Sequence, residues 1–257
     1  MGAVVSVLAA LVPAIIALVQ KLQKPPEAPA PMPEVDGKAK EQLREEARKE
    51  LGIDSTRHYN FGFVGGTGVG KSSLINAIRG LSAMDPGAAK IDEVECTGKI
   101  QQFTFPQHPH IVLWDVPGAG TVNHPAHSYF WDKKLYAMDG LIIVFADRLI
   151  QVDVDLAKAA KDYGVPYMFA RTKADQAIDS KKRQKKMSIE DAKIELRNQV
   201  KESVKSQLTA AGMPLDKITC VSELGFTGDL EEQSRYKMDE ATLVEAVVEA
   251  ALARRHN

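Results

Sequence analysis

The sequence predicts an α/β domain in which a mostly parallel sheet carries helices on both faces. Three observations predict it. Strand-like and helix-like segments alternate from residue 59 to residue 253, the pattern that makes successive strands parallel through helical crossovers. Residues 141–146 form an unbroken apolar run, as expected of a strand buried on both faces. The first strand-like segment, 59–64, runs into glycines, and a helix-like segment follows them.

The elements follow in order. Residues 38–51 read as a charged helix with Leu43, Ala47 and Leu51 on one face, ended by Gly52. After the strand at 59–64, residues 71–79 read as a helix closed by Gly80, and 81–98 show no period and read as loop. Strands are expected at 99–105 and 111–114, then at 141–146. A helix at 152–163 and a strand at 167–170 come next. Residues 188–210 place Ile189, Ala192, Leu196, Val200, Val204 and Leu208 in helical register. Ser188 and Asp191 offer that helix a capping box, and Gly212 with Pro214 stop it. A last strand at 218–221 and a last helix at 239–253 complete the reading, with no internal repeat.

With 257 residues, 26% charged and 44% apolar, the chain can bury one good-sized core and carry an appendage. The formal net charge of -1 gives no argument for a nucleic-acid partner. Cys96 and Cys220 form no CxxC pair and read as buried small residues or free thiols in a reducing compartment.

The appendage is N-terminal. Residues 3–19 are apolar apart from Ser6 and are interrupted by Pro13, the short edge of what can span a bilayer. No basic stretch precedes them, as a secretory signal would require, and no polar face breaks them, as an interfacial helix would. Met1-Gly2-Ala3-Val4-Val5-Ser6 fits the N-myristoylation pattern, which makes Gly2 the candidate lipidation site. One acyl chain holds a membrane only marginally, so the apolar segment would act as a second signal. The plainer reading is a helix packed within this protein or a partner. The expected organisation is an anchor segment at 1–24, a proline-rich linker at 25–37, a linker helix at 38–52 and a catalytic domain at 53–257. The expected location is cytoplasmic, peripheral to or anchored on an intracellular membrane.

The strongest chemical signal is Gly65-Gly66-Thr67-Gly68-Val69-Gly70-Lys71-Ser72. It fits G-x-x-x-x-G-K-[ST] and lies between a strand and a helix, the context this phosphate-binding loop requires. Glycines let backbone N–H groups close around a β-phosphate, and the helix start adds its positive end. Lys71 would bridge β- and γ-phosphates, and the Ser72 hydroxyl would hold Mg²⁺, with Ser73 beside it. Next, the apolar strand 111–114 leads into Asp115-Val116-Pro117-Gly118. Asp115 would orient a water on Mg²⁺, and Gly118 would turn its N–H toward a γ-phosphate. Alone this is also an ordinary turn; after a phosphate loop it carries weight. Third, Thr172-Lys173-Ala174-Asp175 follows a strand. A carboxylate there accepts from guanine N1–H and its 2-amino group, whereas adenine would leave it unsatisfied. The Lys173 stem would lie along the base. Cys220-Val221-Ser222-Glu223, at the end of the last strand, is a weaker element whose backbone would contact guanine O6, with Ser222 as its site residue, against a plain strand exit. Together these motifs predict a P-loop NTPase fold with GTP or GDP and Mg²⁺ as its ligands.

The order of these elements is that of Ras-like G domains. The stretches 110–121, 153–159 and 169–175, with the phosphate loop, resemble more closely the interferon-inducible, immunity-related GTPases over most of residues 60–180. The resemblance implies a myristoylation-type N-terminus, attachment to intracellular membranes, and GTP-dependent self-assembly into a homodimer or oligomer. It also implies that Glu93-Val94-Glu95-Cys96-Thr97 is the first switch, with Thr97 as the Mg²⁺ ligand that senses the γ-phosphate. Family members of the usual length carry a helical domain after the G domain, whereas this sequence ends at Asn257. Residues after Asp175 resemble the family less closely.

For hydrolysis, Lys71, Thr97 and Gly118 are the candidate catalytic residues. A Ras-like water-orienting glutamine would fall at Ala119, which can neither donate nor accept, so slow intrinsic turnover is expected. Arg148 and Arg171 are candidate charge donors, with surface or structural roles as the plainer reading. His108, His110, His124 and His127 lack metal-ligand spacing and read as switch-loop or surface residues. The basic run at 181–186 reads as a solvated loop, with anionic lipid as a second reading. A nucleotide-locked binding module is the alternative to a working GTPase.

Overall fold

Strand β4 (Gly140–Phe145) shows how the core is divided. Leu141, Ile143 and Phe145 face one apolar cluster, and Ile142 and Val144 face the other. Both faces are covered, so no polar alternation survives in the sequence. The structure is a computed structural model of the chain and describes residues 37–90, 100–119, 126–214 and 217–253, without the side chains of Ala126 and His127.

The described strands form one six-stranded sheet in the order β2-β3-β1-β4-β5-β6. They are β1 (Tyr59–Val64), β2 (Gln101–Thr104), β3 (Ile111–Asp115), β4, β5 (Tyr167–Arg171) and β6 (Ile218–Cys220). Pairing is parallel throughout except between β2 and β3, which a short turn joins as an antiparallel edge. This is the doubly wound arrangement expected. Strand β4 begins one residue earlier than the apolar run suggests. Gly140 pairs with Phe61, and a side chain there would meet the Phe61 ring at 2.8 Å.

Helices α2 (Lys71–Ile78) and α9 (Glu240–Ala253) cover one face through Leu74, Ile75, Ile78, Leu243, Ala246 and Val247. Helices α3 (Ala126–Asp132), α4 (Gln151–Asp162), α5 (Ala174–Lys185) and α6 (Ile189–Ala210) contribute to the opposite face. On α6 the buried stripe is Ala192, Leu196, Val200, Val204 and Leu208, and Ser188 caps it by accepting from the Asp191 N–H. Helix α1 (Gly37–Leu51) docks by its arginines: Arg44 donates to the Tyr136 carbonyl, and Arg48 donates to the Ala137 carbonyl and to Asp139. Asp139 also accepts from the Asn60 backbone, and Asn60 accepts from the Trp114 indole, so one buried polar chain runs from α1 through the start of β1 to β3.

Four helices were not legible in the sequence: α3, α5, α7 (Glu223–Thr227) and α8 (Leu230–Tyr236). Helix α5 buries only Ala174 and Ile178, too few apolar positions to show a period. The basic run at 181–186 is therefore not a loop. It forms the last turns of α5, where Lys181 and Lys185 both pair with Glu195 of α6. His108 and His110 lie exposed in the β2–β3 turn, in line with the surface reading. Cys220 is buried and free, and burial pushes its thiol up to about 12. Gly2, the segment 3–19, the first switch with Thr97, Cys96 and His124 lie outside the described residues.

Candidate nucleotide site

The site forms at the carboxyl ends of the parallel strands, where β1 is flanked on one side by β3 and on the other by β4. That is the position at which open α/β sheets hold ligands. The phosphate loop leaves β1 through Gly65 at φ 137, Gly68 at φ 73 and Gly70 at φ 93. At Gly65 the conformation and the space agree: a Cβ there would lie 2.1 Å from the Val144 carbonyl oxygen. Gly70 starts α2, and no side chain caps the helix. Its first N–H groups are thus left for an anion.

Lys71 is buried and donates back across the loop to the carbonyls of Gly66 (2.8 Å) and Gly65 (3.3 Å). The Ser72 hydroxyl donates to Asp115 at 2.5 Å. Burial raises the Asp115 carboxyl, against the opposing Ser72 hydrogen bond and the charge of Lys71. A hydroxyl and a carboxylate meeting at the foot of the loop form an oxygen donor set that suits a hard divalent cation. Beyond Asp115, the chain stays pinned to the loop: Val116 N–H donates to the Phe63 carbonyl and Ala119 N–H to the Gly65 carbonyl. Gly118 packs on Thr67, where a Cβ would meet the threonine backbone nitrogen at 2.9 Å.

The other end of the site is a cavity of about 140 Å³ lined by Gly70, Ser73, Lys173, Asp175, Ser222 and Glu223, among others. Thr172 joins it to the phosphate loop. Its hydroxyl lies 2.5 Å from the Val69 carbonyl and 3.2 Å from that of Phe145. Lys173 takes φ 55 at the start of α5 and donates to the Gly68 carbonyl at 3.1 Å. Asp175 falls in the first turn of α5 and lines the cavity.

Ser222 lines the cavity, but its N–H is committed to Glu240 at 3.0 Å, and its hydroxyl caps α7 by accepting from Gly225. The Ser222 N–H is thus taken within the protein. Gly225 N–H of the first turn of α7 is taken by the Ser222 cap, which leaves the N–H groups of Glu223 and Leu224 without an intrahelical acceptor. Arg171 is buried at the end of β5, 3.9 Å from Asp147, and Arg148 is exposed on the loop that follows β4.

Three residues were missed by reading the sequence. Glu240 is a buried carboxylate that accepts from Ser222 and Met238 N–H groups, and burial raises its carboxyl. Asp153 caps α4 by accepting from Ile150 N–H, and burial raises it to about 6 despite Lys71 nearby. Tyr129, on α3, donates to the Pro117 carbonyl. Only Asp153 had a signal, its place three residues after Ile150 at a helix start.

The sequence model of the interferon-inducible GTPase family matches residues 40–227. The chain belongs to the interferon-inducible GTPase family. The match runs past Asp175, so the stretch that resembles the family less closely by eye is still part of it. Rat (Rattus norvegicus) interferon-inducible GTPase 5 is 33% identical over 177 residues, covering 69% of this chain and 38% of the relative. Mouse (Mus musculus) interferon-inducible GTPase 1 is 37% identical over 135 residues, 52% of this chain and 33% of the relative. The matched stretches thus span 38% and 33% of these two relatives' lengths. Among solved structures, a bacterial selenocysteine-specific elongation factor aligns with a TM-score of 0.44 at 19% identity, over 74% of this chain and 29% of that one.

Proposed function

We propose that this interferon-inducible GTPase family member binds GDP and GTP with Mg²⁺ and hydrolyses GTP slowly, in a cycle coupled to membrane attachment and self-assembly. The observation that carries the reading is the continuity of the two ends of the site. One loop, residues 65–73, borders both the Asp115–Gly118 segment and the cavity that holds Asp175. A nucleotide laid along it has its phosphates on Gly65, Gly66, Thr67, Gly68, Val69, Gly70 and Lys71, and its base between Lys173 and Asp175.

Ser72, Asp115 (through water) and Thr97 would hold Mg²⁺, which when bound neutralises charge on the phosphates. Lys71 supplies a second positive charge. Asp175 selects guanine by accepting from two donors that adenine lacks. Gly2 and the apolar segment after it would attach the protein to an intracellular membrane, and a second copy would supply the charge that Ala119 cannot.

The test is titration with GDP, GTP, ATP and xanthine nucleotides, on the wild type and on Asp175→Asn. The variant is expected to lose GDP affinity by about a hundredfold, the value of two charge-assisted hydrogen bonds, and to gain xanthosine diphosphate. No guanine preference in the wild type would overturn the reading. Ala119, whose N–H is already committed to Gly65, favours one second reading, a nucleotide-locked binding module. Turnover per molecule that stays at background from low to high protein concentration would select the module.

A further inference from the structure

Gly118 N–H is the donor that would meet a γ-phosphate, so what aims it matters. Gly118 is buried, and among the described residues its N–H reaches no acceptor. Buried N–H groups without acceptors are rare in native structures. The residues on either side are fixed to the β1 end, through Val116 N–H to Phe63 and Ala119 N–H to Gly65. These bonds leave one freedom, rotation of the Pro117–Gly118 peptide plane about its own axis. Glycine at 118 makes that rotation sterically cheap.

Tyr129 removes the freedom. It is fully buried on α3, and its hydroxyl donates to the Pro117 carbonyl at 2.5 Å. The peptide bond is planar and trans, so the Pro117 carbonyl and the Gly118 N–H point in opposite directions. Holding one aims the other. Gly118 lies against Thr67 of the phosphate loop.

We propose that Tyr129 is a positioning residue for γ-phosphate recognition: its hydroxyl holds the Pro117–Gly118 peptide so that Gly118 N–H faces the γ-phosphate. This rests on the GTPase reading above. A buried tyrosine needs a partner in any case, but a purely structural tyrosine would not distinguish GTP from GDP.

The experiment uses the full chain and Tyr129→Phe, which keeps the ring and its apolar packing. Affinities for GDP and for guanylyl imidodiphosphate are measured with Mg²⁺, together with single-turnover GTP hydrolysis. The expected result is GDP affinity within about twofold of wild type, triphosphate-analogue affinity lower by about tenfold, and slower hydrolysis. Equal losses for both nucleotides, or an unchanged analogue-to-GDP ratio with unchanged turnover, would overturn the positioning role and leave the GTPase reading standing. Failure of the wild type to bind either nucleotide would instead sink the GTPase reading, and this inference with it.

Discussion

The end of the cleft proposed for the phosphates is built from backbone; the end proposed for the base is built from side chains. Residues 65–70 present glycine conformations, an uncapped helix start and N–H groups, and their shape is enforced by contacts such as Gly65 on the Val144 carbonyl. The cavity at the other end is lined by Lys173 and Asp175 at the start of α5 and by Ser222 and Glu223 at α7. Thr172 and Lys173 tie the ends together, through bonds to Val69 and Gly68. The difference teaches where each end is fragile. A backbone cradle fails when its path is blocked, and a side-chain pocket fails when one group is exchanged.

The largest effect should come from blocking the cradle. Gly65→Ala places a methyl 2.1 Å from a backbone oxygen at a φ of 137. It should remove detectable GDP binding and destabilise the fold by about 3 kcal/mol or more, seen in chemical denaturation. A variant that folds and binds normally would break the claim that the phosphate end is set by backbone geometry.

A smaller effect concerns the carboxyl buried near the cradle. Asp153 titrates at about 6 in the folded protein against an ordinary 3.8. The native state therefore holds the proton more tightly than the unfolded chain. Its contribution to stability is full below pH 3.8 and is lost as pH rises through about 6. At 1.36 kcal/mol per unit, the loss is up to about 3 kcal/mol. Asp153→Asn keeps an acceptor for Ile150 N–H and should gain up to that amount over wild type at pH 7. The gain should vanish near pH 4, measured by urea unfolding across that range. Asp115 and Glu240 are raised in the same direction, but they are common to both proteins and cancel in the difference.

The smallest effect should come from the seam. Lys173→Met keeps the stem that would lie on the base and loses only the bond from Nζ to Gly68, at an exposed position. GDP affinity should fall about two- to fivefold with stability within about 0.5 kcal/mol of wild type. A loss as large as that of Asp175→Asn would mean that the two ends are a single unit.

The legibility of the site follows the same division. Gly65 to Ser72 is contiguous, because a backbone cradle is made by neighbours in the chain, so the motif could be read before the fold was known. Asp115-Val116-Pro117-Gly118 and Thr172-Lys173-Ala174-Asp175 are also local, and each gained meaning from its place after a strand. The partner of Ser222 could not be read, because its N–H is taken by Glu240, eighteen positions away. Tyr129 gave no signal at all, since a buried tyrosine on a short helix looks like core until its hydroxyl is seen on Pro117. Helix α5 was missed because it buries two residues and is held by polar contacts, such as Lys181 and Lys185 on Glu195, more than by an apolar stripe.

By itself, the sequence determined the alternation of strands and helices, the phosphate loop, the guanine motif and the absence of a water-orienting side chain at Ala119. These depend on local conformation and on residue chemistry at fixed spacing. Only the tertiary structure decided the strand order, the reversal of β2, the closure of the base cavity by α7, and the partners of Ser222, Asp153 and Tyr129. Each of those is a contact between distant segments, set by which surfaces pack and which buried polar groups must find a partner.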